Sequence, residues 1–218
     1  MKDCNNIVIA IDGPAASGKG SLAKKLAEKL DYDFLDTGSL YRRIALKCLQ
    51  NKVDLTDHGA VIKIAHAMEE ELGQAYDDSA LRTDEVGSTA SKIAQIQGVR
   101  DLLVDFQRNF ARKAPKGAVL DGRDIGTVIC PEADIKLFVT ASTEKRAERR
   151  HKELQSRGLN VTNATVLAEM QERDARDASR LDAHLTPDHE VNMIDTSDMT
   201  PEEVLDTAMK IVRSYNKP

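Results

Sequence analysis

An uninterrupted apolar run, Ile7-Val8-Ile9-Ala10-Ile11, stands near the start of the chain and gives way at once to Asp12-Gly13-Pro14. A run without polar alternation predicts a strand buried on both faces, and the Asp-Gly-Pro after it predicts a turn. From about Lys19 to Leu30 the period changes: Leu22, Leu26 and Leu30 fall on one stripe, which predicts a helix. Further apolar runs at Ala118-Val119-Leu120, Ile135-Lys136-Leu137-Phe138-Val139 and Val191-Asn192-Met193-Ile194 each read as a strand. Helices are expected between and beyond them, at roughly 58–71, 84–96, 99–113, 143–157 and 163–179. The last helix is the best marked. Thr200-Pro201-Glu202-Glu203 offers an N-cap, a proline at the first helical position and a glutamate for a capping box.

Strands alternating with helices predict an α/β fold, a parallel sheet covered by helices on both faces. Two stretches depart from that plan. The first, from about Thr37 to Lys113, is almost entirely helical; the second surrounds Ser156-Arg157-Gly158-Leu159-Asn160, where Gly158 breaks two Arg-rich helices. Both are candidate moving parts.

Composition narrows the choice of partner. The 218 residues carry a net charge of −5, no Trp and only 4% aromatic residues, which argues against a nucleic-acid binder. Any anionic ligand must then be held by local clusters of Arg and Lys. Cys4, Cys48 and Cys130 are far apart and read as ordinary thiols, and His58, His66, His151, His184 and His189 have no metal-like spacing. No apolar stretch approaches the ~20 residues that a membrane span needs, and the first residues show no signal-peptide pattern. A cytoplasmic protein is expected.

The strongest chemical signal is Gly13-Pro14-Ala15-Ala16-Ser17-Gly18-Lys19-Gly20-Ser21, placed after a predicted buried strand and at the mouth of a predicted helix. That context makes a phosphate loop. Glycines let the backbone approach phosphate oxygens, successive N–H groups and the helix N-terminus face them, and Lys19 adds a point charge. Gly20 stands where Ser or Thr usually follows the lysine, and the hydroxyl comes one residue later at Ser21. Kinases of small nucleotides carry this Gly-Lys-Gly-Ser/Thr form.

Three further segments complete the picture: Leu35-Asp36-Thr37-Gly38-Ser39-Leu40-Tyr41-Arg42, Asp121-Gly122-Arg123-Asp124-Ile125-Gly126-Thr127-Val128, and Glu172-Arg173-Asp174-Ala175-Arg176-Asp177-Ala178-Ser179-Arg180. With them the chain closely resembles, nearly end to end, the bacterial cytidylate kinases. The resemblance implies the three-layer nucleoside monophosphate kinase fold. It has a five-stranded parallel sheet, a core of about 1–36, 114–150 and 164–218, a helical acceptor-binding subdomain of about 37–113 and a short lid of about 151–163. It also implies ATP with Mg2+ as donor, CMP or dCMP as acceptor, and a monomer acting on small molecules, with no nucleic acid and no membrane. Two departures stand out: 71–82 is too short for the β-hairpin insert of many relatives, and Thr37 replaces the serine of several.

The chemistry needs positive charge more than a base. A phosphate monoester is already largely dianionic near neutrality, its second pKa being about 6. Arg173, Arg176 and Arg180 share one helix face by their spacing, with Asp174 and Asp177 as the carboxylates that could sit among them. The resemblance gives Lys19, Arg123, Arg173 and Arg180 the transferring phosphates, and Arg42 with Arg123 the acceptor phosphate. It gives Asp177 the acceptor ribose, adds Thr37 and Tyr41 to the acceptor site, and leaves Arg176 the less certain member. Cytosine presents a donor amine beside acceptors at N3 and O2, so it calls for a carboxylate next to donors. Asp124 with Arg100 and Ser91 is that complementary set, matching the family's base-contacting positions. Asp121, at a strand end, and Ser21 are candidates to orient magnesium, Asp121 through water. Arg146, Arg149 and Arg150 fit either a lid over ATP or a plain charged helix with Glu144 and Glu148.

Overall fold

The structure, a computed structural model, describes residues 6–74, 76, 78–181 and 191–215, with the backbone alone at 78 and 178–181. Cys4, His184, His189 and the side chain of Arg180 therefore lie outside the described residues.

Five strands, β1 (Ile7–Asp12), β2 (Asp33–Asp36), β3 (Gly117–Gly122), β4 (Ile135–Thr140) and β5 (Val191–Asp195), form one parallel sheet in the order β2-β3-β1-β4-β5. β1 is central. Its register sets Asp12 beside Gly122 of β3 on one side and Phe138 of β4 on the other. The buried strand expected from the apolar run follows from this position, since Ile9, Ala10 and Ile11 are all fully enclosed. β2 is the strand that periodicity did not give. It is four residues long, with Phe34 and Leu35 between two aspartates, at the edge of the sheet.

The chain divides into two compact units, one running to Leu35 and resuming at Ala111, the other Asp36–Phe110. In the first, α1 (Lys19–Leu30) and α9 (Pro201–Tyr215) pack with the sheet around Ile9, Ile11, Leu22, Leu26, Val119, Leu137, Ile194 and Val212. The expected capping box closes α9: Thr200 N–H donates to Glu203 Oε2 at 2.8 Å, and Glu203 N–H donates to Thr200 Oγ1 at 3.3 Å. α7 (Thr143–Ser156) and α8 (Asn163–Leu181) pack on each other through Ala147, Leu154, Val166 and Met170. Gly158, at φ +78, ends the first of that pair, as its sequence position implied.

The second unit is helical: α2 (Thr37–Gln50), α3 (His58–Ala67), the short α4 (Asp78–Leu81), α5 (Asp84–Ile93) and α6 (Gln97–Lys113, whose end belongs to the first unit). Its core gathers Leu40, Ile44, Cys48, Val61, Ala65, Val86, Ile93, Val99 and Leu103. α3 ends at Ala67 rather than near 71, and turns continue to Gln74. No strand occurs among the described residues of 71–82.

Candidate active site

The glycine loop leaves the carboxyl end of β1. In a parallel sheet, ligands sit beyond the strand ends where neighbouring connections leave in opposite directions, and β1 lies between β3 and β4. Gly13 leaves β1 at φ +148, and a Cβ there would fall 2.0 Å from the Val139 carbonyl oxygen, so no side chain fits. Ala16 and Gly18 take left-handed conformations at φ 57 and φ 91, and Gly18 stands at the N-cap of α1. The chain thus wraps a tight loop onto a helix N-terminus. Ser17 is fully buried, and its hydroxyl has no hydrogen-bond partner.

A loop whose N–H groups face a ligand turns its carbonyls back toward the protein, where they need donors. Those donors come from elements far along the chain. Thr196, 2% exposed just past β5, donates its hydroxyl to Ser17 O at 2.8 Å. Arg149 donates to Thr196 Oγ1 at 2.9 Å and reaches Ser17 O at 3.4 Å. Arg146 is buried; it donates to both carboxylate oxygens of Asp174 at 3.1 and 2.7 Å, to Ala141 O at 3.0 Å and to Ala15 O at 3.4 Å. Ala15 and Ala16 also rest on the apolar contact between α7 and α8. Of the three arginines that fitted either a lid or a plain charged helix, Arg146 and Arg149 brace the loop from behind. Arg150 pairs with Glu153 at 2.8 Å, and Glu148 pairs with Lys152.

Lys19 lies 3.7 Å from a carboxylate oxygen of Asp121, and both side chains are largely buried. A Cβ on Gly20 would fall 3.1 Å from the other oxygen of Asp121, so the glycine after the lysine is what lets the carboxylate approach.

β3 continues from Asp121 and Gly122 into Arg123, Asp124 and a wide turn of helix at Ile125–Ile129. Ile129 N–H donates to Asp124 O at 3.1 Å and Cys130 N–H to Ile125 O at 2.7 Å, each spanning five residues. Asp12 anchors this turn. Its carboxylate accepts from Ile125 N–H and from Gly126 N–H, both at 2.8 Å. Burial pushes the Asp12 carboxyl up to about 6; the two N–H groups oppose that rise, and Asp124 and Asp121 add to it. Arg123 Nε donates to Asp177 Oδ2 on α8 at 3.2 Å.

The Arg/Asp face of α8 is therefore not closed on itself. Asp177, 4% exposed, goes to Arg123 and Asp174 to Arg146, while Arg176 lies 3.8 Å from Glu172 of its own helix. Arg173 is half-buried on the same helix.

In the second unit, Asp36 caps α2 by accepting from Ser39 N–H at 3.1 Å and takes Arg42 Nη2 at 2.5 Å. Thr37 is buried, and Tyr41 and Arg100 are half-buried. Ser91 is buried on α5 with its hydroxyl bonded to nothing. Among the described residues no group of three or more His, Cys, Asp or Glu could hold a metal, and no helix is long and apolar enough to cross a membrane.

Sequence reasoning missed Asp12 and Thr196 and left Arg146 and Arg149 between two roles. Asp12 had a signal, being an acidic residue joined directly to a strand buried on both faces. The loop carbonyls that the other three reach are distant in sequence.

A glycine loop running into a helix from the central strand of this sheet defines a P-loop kinase fold. Solved structures agree on the fold. Shikimate kinase from Bacteroides thetaiotaomicron is 10% identical with TM-score 0.51 over 95% of this chain and 98% of its own. A gluconokinase from Sinorhizobium meliloti is 14% identical with TM-score 0.51 over 96% and 93%. The chain matches the cytidylate kinase family over residues 9–214. It is 51% identical to a cytidylate kinase of Paramagnetospirillum magneticum over 95% of this chain and 98% of the relative, and 47% identical to one of Rhodospirillum rubrum over 94% and 97%. The chain belongs to the cytidylate kinase family.

Proposed function

We propose that this enzyme transfers the γ-phosphoryl group of ATP to CMP or dCMP, giving ADP and CDP or dCDP. The observation that carries the reading is a juxtaposition. The glycine loop and Arg123-Asp124 leave adjacent parallel strands at the same end, with Asp12 opposite Gly122. A loop suited to one phosphate chain and a guanidinium suited to another are thereby brought side by side. Family membership supplies the substrates.

The loop from Gly13 to Ser21 cradles the donor phosphates, and Lys19 neutralises charge on the group in flight. Arg123, Arg173 and Arg180 make the approach of two anions tolerable, with Asp177 holding Arg123 in place and accepting from the acceptor ribose. Arg42, kept oriented by Asp36, takes the acceptor phosphate with Thr37 and Tyr41 nearby in sequence. Asp124, Arg100 and the unbonded hydroxyl of Ser91 match cytosine. The separate compactness of Asp36–Phe110 supports reading about 37–113 as the acceptor-binding subdomain. We keep about 151–163 as the lid, and a cytoplasmic monomer as the working form.

Magnesium fits the oxygen chemistry on hand. It takes few protein ligands and keeps phosphate oxygens and waters, so no dedicated cluster is needed. Asp121, in the space that Gly20 leaves open, and Ser21 are the residues that would hold it. Its part is to neutralise phosphate charge.

A coupled assay of ADP release across monophosphates tests the proposal. CMP and dCMP should be turned over far better than UMP or AMP. Strong turnover of AMP or shikimate with none of CMP overturns it, and ATP binding without any acceptor-dependent ADP release makes the chain a nucleotide-binding module instead.

A further inference from the structure

We infer that Asp12 is a positioning residue for acceptor recognition. Its buried carboxylate holds the wide turn after Arg123-Asp124 and so fixes where those two side chains stand relative to the strand that carries the phosphate loop. The inference rests on the assignment of Arg123 and Asp124 to the acceptor.

The first N–H groups of any helical turn lack partners within it and need an acceptor from outside. In Ile125–Ile129 the residue placed to give one is Asp124, at the N-cap, yet its side chain makes no cap hydrogen bond. Asp12 does that work from another element, accepting from Ile125 N–H and Gly126 N–H at 2.8 Å each. The carboxylate of Asp124 is thereby relieved of the capping role that aspartate in this position ordinarily takes.

Asp12 is well fixed for the purpose. It is 8% exposed, and its backbone pairs with β3 on one side and β4 on the other. The next residue is Gly13, packed so closely on β4 that any Cβ there would meet the Val139 carbonyl. The donor loop and the acceptor-reading turn are thus referred to one rigid strand end. The turn lies close: a Cβ on Gly126 would be 3.4 Å from Asp12 Oδ2 and 3.3 Å from the methylenes of Lys136. Burying a carboxylate is unfavourable, and a neutral side chain would be easier to enclose. Only a carboxylate, however, offers acceptors to both N–H groups. An asparagine would turn its NH2 toward one of them, setting donor against donor.

The test compares the full-length wild type, Asp12→Asn, Gly126→Ala and Asp124→Asn for kcat and KM with CMP and UMP at saturating ATP, and for KM of ATP at saturating CMP. Asp12→Asn should raise KM for CMP about tenfold or more, the effect of orphaning one buried donor. It should lower the CMP/UMP preference toward that of Asp124→Asn, with KM for ATP changed less than about twofold. A merely structural role would move both substrates together. Should Asp12→Asn not fold, Gly126→Ala, whose methyl would touch Asp12 Oδ2 at 3.4 Å and press on the Lys136 methylenes at 3.3 Å while keeping both charges, should show the same pattern in smaller degree. Equal losses for ATP and CMP overturn the inference, as does an unchanged preference in Asp12→Asn when Asp124→Asn abolishes it. If Asp124→Asn itself leaves the preference intact, base reading by Asp124 falls. The KM split between CMP and ATP in Asp12→Asn then decides alone whether Asp12 positions Arg123.

Discussion

Lys19 and Asp12 show how differently a residue of the loop and the one just before it can be written into a sequence. Lys19 is announced by its neighbours, because a lysine after two glycines at a helix N-terminus has a single strong chemical use. Lys19→Met should lower kcat by on the order of 10²-fold or more, the loss typical when one preorganised electrostatic group is removed. The melting temperature should stay close to that of the wild type; turnover like the wild type's would refute the loop's role. Asp12 reads in the sequence only as the start of a turn. Its burden appears in three dimensions, as a carboxyl with pKa raised from 3.8 to about 6, chiefly by burial. At pH values between these two, the unfolded chain has already lost the proton that the folded chain keeps. Stability contributed by this group therefore falls as pH rises from about 4 to about 6 and is flat above, by about 3 kcal/mol in all. Asp54, Glu148, Glu153, Asp195 and Glu203 are shifted downward and act in the opposite sense, their stability being lost as pH falls below their ordinary values of 3.8 and 4.5, mostly beneath the Asp12 window. The quantity to measure is therefore the difference in urea-unfolding free energy between wild type and Asp12→Asn across pH 3.5 to 7.5. A difference that does not vary with pH would show that Asp12 titrates normally.

At the level of elements, α7 and α8 change most between sequence and structure. Their charge-rich sequences allow a solvated ladder or a mobile cover equally. In the fold, Arg146 is buried and bidentate to Asp174, and Arg149 joins Thr196 behind the phosphate loop. Removing one partner of a buried pair leaves the other uncompensated. Arg146→Met should cost about 3 kcal/mol in urea unfolding, and pairing it with Asp174→Leu should restore part of that. A single-variant loss under about 0.5 kcal/mol would mean that the pair behaves like an exposed one. Elements set by local rules were legible in advance, among them β1 from its apolar run, α1 from its leucine stripe, and α9 from its capping box. β2 was not, because two apolar residues between aspartates carry no period. The wide turn at Ile125–Ile129 was not either, because its hydrogen bonds depend on Asp12 more than a hundred residues earlier in the chain.

For the molecule as a whole, a net charge of −5 means that attraction for nucleotides, through the lysine and arginines proposed for the site, must be local. The sequence by itself determined the α/β class, the buried central strand and the glycine loop with Lys19. Each is a property of neighbours along the chain or of residue chemistry, and needs no knowledge of distant contacts. Tertiary structure alone decided which charges meet: Arg123 with Asp177, Arg146 with Asp174, and Asp12 with the backbone of Ile125 and Gly126. Those pairings arise because a parallel sheet returns remote segments to one end, where burial strengthens every hydrogen bond, raises the cost of every unpaired charge and so selects the arrangement that satisfies them.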